Sequence, residues 1–431
     1  MNSEVLNSYP KYDSYKDSGV DWLGEVPEKW VVEKLGVLLK EVSDKNHPDL
    51  PLLSITRELG IIERDVQNMD SNHNFIPDDL SGYKKIEQGQ FGMNKMKAWQ
   101  GSYGISPYTG IVSPAYYIFK LNPDLNRDFF SLAIRSKLYV SYFGSASDGV
   151  RVGQWDLNKT RMRQIRFVIP TLDEQEKIVR FLNNKVSQVD QAIELKQQQI
   201  EKLNEYKQIT IQNAVTKGLD SNVKMKDRDI DWVKEIPEHW DTKKLKYLVK
   251  IRKRIIGYEG VDVLSITQTG VKVKDITSGE GQLSMDYSKY QIVNIGDFAM
   301  NHMDLLTGYV DISKFNGVVS PDYRVFTNET NLLTPNYLIN ILRMGYKQKI
   351  FYKYGQGVSM LGRWRLPADN FNNFSIPVPS IAEQNEITEF IDKKVAEIDS
   401  AIELETQQIQ QLKEYKTILI NQAVTGKIKV S

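Results

Sequence analysis

Residues 17–30 read DSGVDWLGEVPEKW, and residues 227–240 read DRDIDWVKEIPEHW. Seven of these fourteen positions are identical, among them Trp22/Trp232, Pro27/Pro237 and Trp30/Trp240. The correspondence continues in order. LLSIT at 52–56 matches VLSIT at 263–267, GQFGMNKM at 89–96 matches GDFAMNHM at 296–303, GIVSPAYYIF at 110–119 matches GVVSPDYRVF at 317–326, and GQW at 153–155 matches GRW at 362–364. The offset stays within 207–211 residues throughout. The longest match comes last: 24 of 49 positions are identical between residues 169–217 and 378–426. A solenoid repeats every 20–50 residues or so. A period this long instead means two tandem copies of one unit, each a globular part followed by a helical tail.

The tails read as helices. Apolar residues fall at Leu182, Val186, Val189, Ile193, Ile200 and Leu203, and again at Ile391, Val395, Ile398, Ile402, Ile409 and Leu412. Steps of three, four and seven make a heptad seam. Lys196 and Glu405 interrupt it at equivalent places, and antiparallel register decides whether these opposite charges meet. Pro170 and Pro379 close the strand-like segments before the helices, and Gly218 and Gly426 mark the helix ends. A helix of about 40 residues is about 60 Å long. One reading is a surface helix on its own domain. The other, favoured by the shared seam, is that the two tails pair with each other. The globular parts carry short β-branched runs such as RFVIP and FSIPVP, with one helix each at 127–143 and 335–352. Each part therefore reads as α+β.

Composition narrows the chemistry. The 431 residues suggest about three domains, and 41% hydrophobic with 26% charged residues is a globular balance. There is no cysteine, which excludes disulfides, iron–sulfur clusters, thiolate zinc and cysteine nucleophiles. The four histidines His47, His73, His239 and His302 form no metal-binding pattern. No apolar run approaches about 18 residues, and the polar N-terminal residues lack a signal-peptide core. The expectation is a cytoplasmic protein without membrane contact. Walker, dinucleotide-binding and nucleophile-elbow motifs are missing. Pro123-Asp124 with Glu194 and Lys196 formally fits a nuclease pattern, but the latter two sit within the heptads as ordinary charge decoration. The expectation is that this chain carries no catalytic centre, metal or cofactor.

Features suited to gripping a polyanion remain. KKLKYLVKIRKR at 243–254 holds seven cations and no acid, and RMRQIR at 161–166 holds three arginines. A solvated basic face is the commoner explanation for such a run taken alone. Repeated loops say more. Asn94, Lys95, Lys97 and Trp99 fall in a loop matched by Asn301 and His302. Arg151 answers to Ser359, and Gln154 with its neighbouring Trp155 answers to Arg363 and Arg365 around Trp364. Gly, Met, Asn and Trp are kept while the polar side chains change. That is the pattern of one scaffold reading two sequences, because major-groove readout needs interchangeable donors and acceptors on a fixed frame. Drift after duplication gives the same pattern. These residues, with Lys272, are the candidate DNA-binding set. Trp22, Trp30, Trp232 and Trp240 read as core anchors rather than base-stacking platforms.

At this point the chain resembles the specificity subunit of type I restriction–modification systems. The DSGVDWLGEVPEKW block, the GIVSPAYY and GVVSPDYR segments and the P-x-L/I-x-EQ helix start carry the likeness, which runs from about residue 15 to 426. The resemblance implies an α+β protein of two tandem pseudo-repeats. Each would be a target recognition domain followed by a long helix, with the helices pairing as an antiparallel coiled coil. The corresponding boundaries are a polar segment at 1–16, recognition domains at 17–170 and 227–379, spacer helices at 171–217 and 380–426, a linker at 218–226 and a tail at 427–431. It also implies a bipartite, asymmetric site on double-stranded DNA, two modification (methyltransferase) subunits docked on the helices, and restriction (translocase/endonuclease) subunits. S-adenosylmethionine, ATP and Mg²⁺ would belong to those partners, and adenine methylation or cleavage would be their work. The rival reading is a non-catalytic coiled-coil adaptor that reads no DNA.

Overall fold

A computed structural model describes residues 8–65, 76–151, 154–276, 284, 286–357 and 364–430. The chain forms two compact units: residues 1–196 with 406–431, and residues 197–405. Neither unit is one sequence repeat. Each combines a globular part, the N-terminal half of that part's own helix, and the C-terminal half of the other helix.

Both units hold the same four-stranded antiparallel sheet. In unit 1 the order is Leu39–Val42, Tyr117–Leu121, Phe91–Met93, Tyr103–Ile105, and in unit 2 it is Val249–Arg252, Arg324–Asn328, Phe298–Met300, Val310–Ile312. The register repeats as well: Tyr117 faces Met93, and Arg324 faces Met300. A hairpin packs nearby in each unit, Leu53–Thr56 with Gly60–Glu63 and Leu264–Thr267 with Gly270–Val273. The globular part closes where Val31–Lys34 pairs with Arg166–Ile169, and likewise Asp241–Lys244 with Ser375–Val378. This strand pair brings the start of the repeat beside the start of its long helix.

The cores are aromatic. Phe91, Phe119, Phe129, Phe130, Phe143 and Phe167 are buried in unit 1, and Phe298, Phe326, Phe351, Phe371 and Phe374 in unit 2. Trp30 and Trp240 are buried in these cores, while Trp22 stacks on Tyr142 at 3.8 Å and Trp232 on Phe374 at 5.5 Å. All four tryptophans are therefore packing anchors. Tyr9 and Tyr12, in the segment set apart as polar, also pack against the first core.

One expectation is corrected. Residues 127–143 are not one helix but two, Arg127–Ile134 and Lys137–Ser145. Ser136 takes an extended backbone (φ −62°, ψ 149°) and so ends the run. In the second copy the helix is unbroken over Pro335–Lys347 but stops short of the expected 352, because Lys349 takes a left-handed backbone (φ 56°) before a short 3₁₀ turn at Phe351–Tyr354.

The long helices run Leu172–Lys217 and Ile381–Val424. Each begins with an N-cap hydroxyl: Thr171 and Ser380 accept from the amides of Glu174 and Glu383 three residues on, and Glu383 accepts in return from Ser380 N, completing a capping box. The glutamine of the repeated EQ pair is fully buried in both copies. Gln175 donates to Pro170 O at 3.0 Å and accepts from Asn126 N at 2.7 Å, and Gln384 does the same with Pro379 O at 2.9 Å and Thr334 N at 2.7 Å. A buried amide with both ends bonded fixes the helix start against the globular part. Ile178 and Leu182 then enter the first core, and Ile387 and Ile391 the second.

Within unit 1 the two helices are antiparallel. Lys416 donates to Asp190 at 2.7 Å, while further along the first helix Lys196 bonds Gln408, earlier on the second. Lys196 thus has Gln408 as a partner across the seam. In unit 2, Lys207 donates to Asp399 at 2.6 Å. Asp399 lies 209 residues after Asp190, and Lys416 lies 209 after Lys207. The two ion pairs are one duplicated pair, each repeat giving its aspartate to the other repeat's lysine. Leu182, Val189, Ile391, Ile398 and Ile409 of the seam are buried. Val186, Ile193, Ile200, Leu203, Val395, Ile402 and Leu412 are half-buried.

Candidate nucleic-acid interface

Among the described residues each unit carries a polar cleft beside its hairpin, and these two clefts are built from equivalent positions. The first, about 830 Å³, is lined by Ser54, Arg57, Arg64, Tyr83, Asn94, Met96, Lys97, Ser113, Tyr116 and Asp156 among others. The second, about 470 Å³, is lined by Ser265, Lys274, Tyr290, Asn301, Met303, Asp304, Ser320, Asp322 and Tyr323 among others. The backbone repeats with them. Arg64 N donates to Leu52 O at 2.9 Å and Lys274 N to Val263 O at 2.8 Å, while Tyr116 and Tyr323 each donate N–H to the serine three residues earlier at 3.0 Å.

The sequence dictates this frame. In Leu53–Thr56 and Leu264–Thr267 burial alternates identically, so Leu and Ile face the core while Ser and Thr face outward. The loop after Phe91–Met93 is held by Asn94, whose side chain accepts from Met96 N at 3.1 Å and donates to the Tyr116 hydroxyl at 3.2 Å. Asn301 accepts from Met303 N at 3.2 Å in the same way. Both asparagines line their clefts, but their hydrogen bonds brace the loop.

Upon that frame the charges differ. The first cleft has Arg57, Arg64 and Lys97 against Asp156, and the second has Lys274 against Asp304 and Asp322. One wall is rich in donors, while the other adds carboxylate acceptors. This is the chemical contrast that base edges distinguish in the major groove. Asp304 also accepts from the amides of Leu306 at 2.9 Å and Thr307 at 3.0 Å, which fixes its carboxylate.

The remaining candidates are not in the cleft linings. Lys95 pairs with Asp156 at 2.9 Å, and this hydrogen bond raises the lysine pKa. Trp99 packs on Trp155 at 5.0 Å. Arg151 and Gln154 are backbone partners in the hairpin Ser147–Arg151/Gln154–Leu157. Lys272 is exposed on the strand opposite Ser265. His302 follows Asn301, and burial, reinforced by Arg324 and Arg365, lowers its pKa to about 4. Arg365 is exposed, its backbone bridged to Gln356. Ser359 and Arg363 lie outside the described residues. The basic runs stand apart from the cleft linings and are partly neutralised: Arg252 pairs with Glu329, Arg254 with Asp297 and Arg161 with Asp148. Lys244, Lys246, Lys250 and Lys253 are exposed.

Sequence reasoning missed Ser54/Ser265, Arg64/Lys274, Tyr83/Tyr290 and Tyr116/Tyr323. The signal was present in LSIT and VSPxY, which recur in both copies. Those segments read as marks of the duplication, and the outward half of their alternation went unused.

The two clefts belong to a known domain. The type I restriction modification DNA specificity domain matches residues 28–205 and again 237–414. The chain is 26% identical over 427 residues to the type I restriction enzyme MjaVIII specificity subunit of Methanocaldococcus jannaschii, covering 94% of each. It is 22% identical over 454 residues to the putative type I restriction enzyme MjaX specificity subunit of the same organism, covering 99% of each. Among solved structures, the HsdS subunit from Thermoanaerobacter tengcongensis superimposes with a TM-score of 0.52 at 14% identity, covering 94% of this chain and 98% of that one. A chain from a study of complex assembly and conformational transition of the type I R-M system reaches a TM-score of 0.65 at 13% identity, covering 93% and 98%. With two copies of that domain covering most of its length, this chain belongs to the type I restriction–modification DNA specificity family.

Proposed function

We propose that this chain is the DNA-reading specificity subunit of a type I restriction–modification complex, with one half of a bipartite site read at each cleft. The duplicated cleft carries the proposal: one frame of Ser, Tyr, Asn and Met presents different polar side chains in its two copies. A plain adaptor has no use for that arrangement. In this reading Arg57, Arg64 and Lys97 address acceptor edges such as guanine O6 and N7, while Asp322 offers an acceptor to an exocyclic amine. The chain has no reaction of its own. Partner subunits bring S-adenosylmethionine, ATP and Mg²⁺, and the complex works in the cytoplasm. Among the described residues no helix is long and apolar enough to cross a membrane, and no cluster of potential metal ligands occurs.

Exchanging residues 31–168 for the matching segment of another family member is the decisive test. The segment carries nearly all of the closing strand pair Val31–Lys34/Arg166–Ile169, so it moves as a folded piece. Mapping methylated adenines in the reconstituted complex should show one half-site altered and the other kept. A change in both halves, or in neither, would overturn the assignment.

The helices support two copies of one partner. AIEL recurs at 192–195 and 401–404, and its leucines point away from the seam, Leu195 being 61% and Leu404 55% exposed. An exposed leucine kept in both copies suits a modification subunit docking once on each. Leu195→Glu or Leu404→Glu alone should leave one modification subunit bound, and the double substitution none, as counted by native mass spectrometry. Full occupancy of the double variant would remove these leucines from the interface.

A further inference from the structure

Beside each cleft lies a backbone corner common to both units, with contrasting charges on it. Leu157 N donates to Lys95 O at 2.9 Å in unit 1, and Leu366 N donates to His302 O at 2.8 Å in unit 2. Tyr117 and Arg324 stand at the same place in the sheet, opposite Met93 and Met300. Lys95, Asp156 and Tyr117 therefore correspond to His302, Arg365 and Arg324.

In unit 1 the corner is closed upon itself: Lys95 and Asp156 form an ion pair at 2.9 Å. In unit 2 the carboxylate has become Arg365, which is exposed, and the tyrosine has become Arg324, only 4% exposed. The Arg324 guanidinium donates to Leu366 O at 3.0 Å and lies 4.6 Å from the centre of the Phe371 ring. Among the described residues no carboxylate pairs with it. Its Nη1 and the Nδ1 of His302 are both buried without a hydrogen-bond partner. A buried cation without a counter-charge is expensive, and a guanidinium does not escape that by losing its proton near neutral pH, since burial brings Arg324 only down to about 10.

Resting on the reading above, we propose that the corner formed by Arg324, His302 and Arg365 is an anion site that holds a backbone phosphate of the duplex on the second unit alone. Arg365 makes the contact at the surface. His302 lines the approach and, being neutral, adds no charge of its own. Arg324, locked between Leu366 O and Phe371, supplies a fixed positive field behind them. An immobilised guanidinium under the surface acts on a phosphate through its charge and cannot reach a base edge, which needs an exposed donor pair. The first unit, with Lys95 already paired to Asp156, lacks this anchor, so the two halves grip the backbone unequally.

The test uses the full chain assembled with its modification subunits. Arg365→Gln changes an exposed side chain and leaves the core alone. Affinity for cognate and unrelated duplexes should fall together, by about three- to tenfold, and the slope of log K against log salt should become shallower by about one. In the first unit, Asp156→Arg frees Lys95 and adds a cation, so the slope should steepen. An unchanged slope and affinity for Arg365→Gln would overturn the proposal. So would a loss confined to the cognate duplex at unchanged slope, which would make Arg365 a base reader. Weaker binding of the modification subunits with the slope intact would point to a protein carboxylate at the corner, and would equally overturn it. If the unaltered complex shows no salt-sensitive duplex binding at all, the parent reading fails instead.

Discussion

Gly426→Ala should destabilise the first unit by about 2–5 kcal/mol, whereas Gly218→Ala should destabilise the second by about 1–2 kcal/mol. The two glycines end equivalent helices, at φ +73° and +74°, so the left-handed backbone strain is common to both. What differs is the room. A Cβ on Gly426 would lie 2.4 Å from Pro27 Cδ and 3.0 Å from Trp30 Cζ3, while on Gly218 the nearest atom is Trp240 Cζ2 at 3.2 Å. Gly426 also belongs to a Schellman turn: Lys427 N donates to Gln422 O at 2.9 Å and Gly426 N to Ala423 O at 3.3 Å. Beyond it, the Lys427 ammonium caps Leu23 O at 2.8 Å, and Lys429 N donates to Pro10 O at 2.7 Å. The end of the chain is thus fastened to the block that begins the first repeat. A Cβ there must displace a proline ring held by that packing. Hydrogen exchange of Leu419–Ile428 in Gly426→Ala, compared with residues 211–217 in Gly218→Ala, reads each unit separately. Equal acceleration in the two variants would show that the contact at Pro27 does not decide the cost.

Much of this architecture was legible in the residues because duplication doubles every signal. A single heptad seam broken by Lys196 is ambiguous, but the same seam broken at the same place by Glu405 is not. The four tryptophans were readable as anchors for the same reason. Their exchange of partners was not. Trp30 packs against Gly426, some four hundred positions away, and nothing local in either segment announces it. Register between the helices was likewise hidden. Period 3.5 places Lys196 on the seam, but only the antiparallel offset, fixed where each helix enters a core, gives it Gln408. Ser136 illustrates another limit, since LAIRSKLYV carries helix periodicity through a residue that takes the extended backbone of an N-cap and starts a second helix. At the clefts the repeated strands announced only the duplication. Their outward residues, Ser54 and Ser265, acquire meaning only when Tyr116 and Tyr323 arrive from a distant segment to face them.

The duplicated ion pair leads to the other large effect, on the DNA rather than on stability. Inserting four residues after Gln198 together with four after Gln407 should lengthen the tolerated gap between half-sites by about one to two base pairs, because four helical residues rise about 6 Å against about 3.4 Å per base pair. Both half-site sequences should stay as they are. In sequence these points fall between Asp190 and Lys207 on the first helix and between Asp399 and Lys416 on the second, so a matched insertion preserves each pair within its unit. An insertion in one helix alone should shift the gap in the same direction with weaker assembly. It leaves one turn of helix without an opposite number and strains one pair, which by itself is worth only about 0.2–1 kcal/mol. The loss should therefore come mainly from the apolar seam around Ile193, Ile200 and Ile409. Paired helices transmit length in this way and a flexible linker does not, because a Gly/Ser chain would accept many gaps at similar affinity. Sequencing methylated sites in cells carrying the matched insertion measures the outcome directly. A broadened set of gaps would show that the helices tether the two readers without fixing their spacing, and an altered half-site sequence would mean that the helices take part in reading the bases.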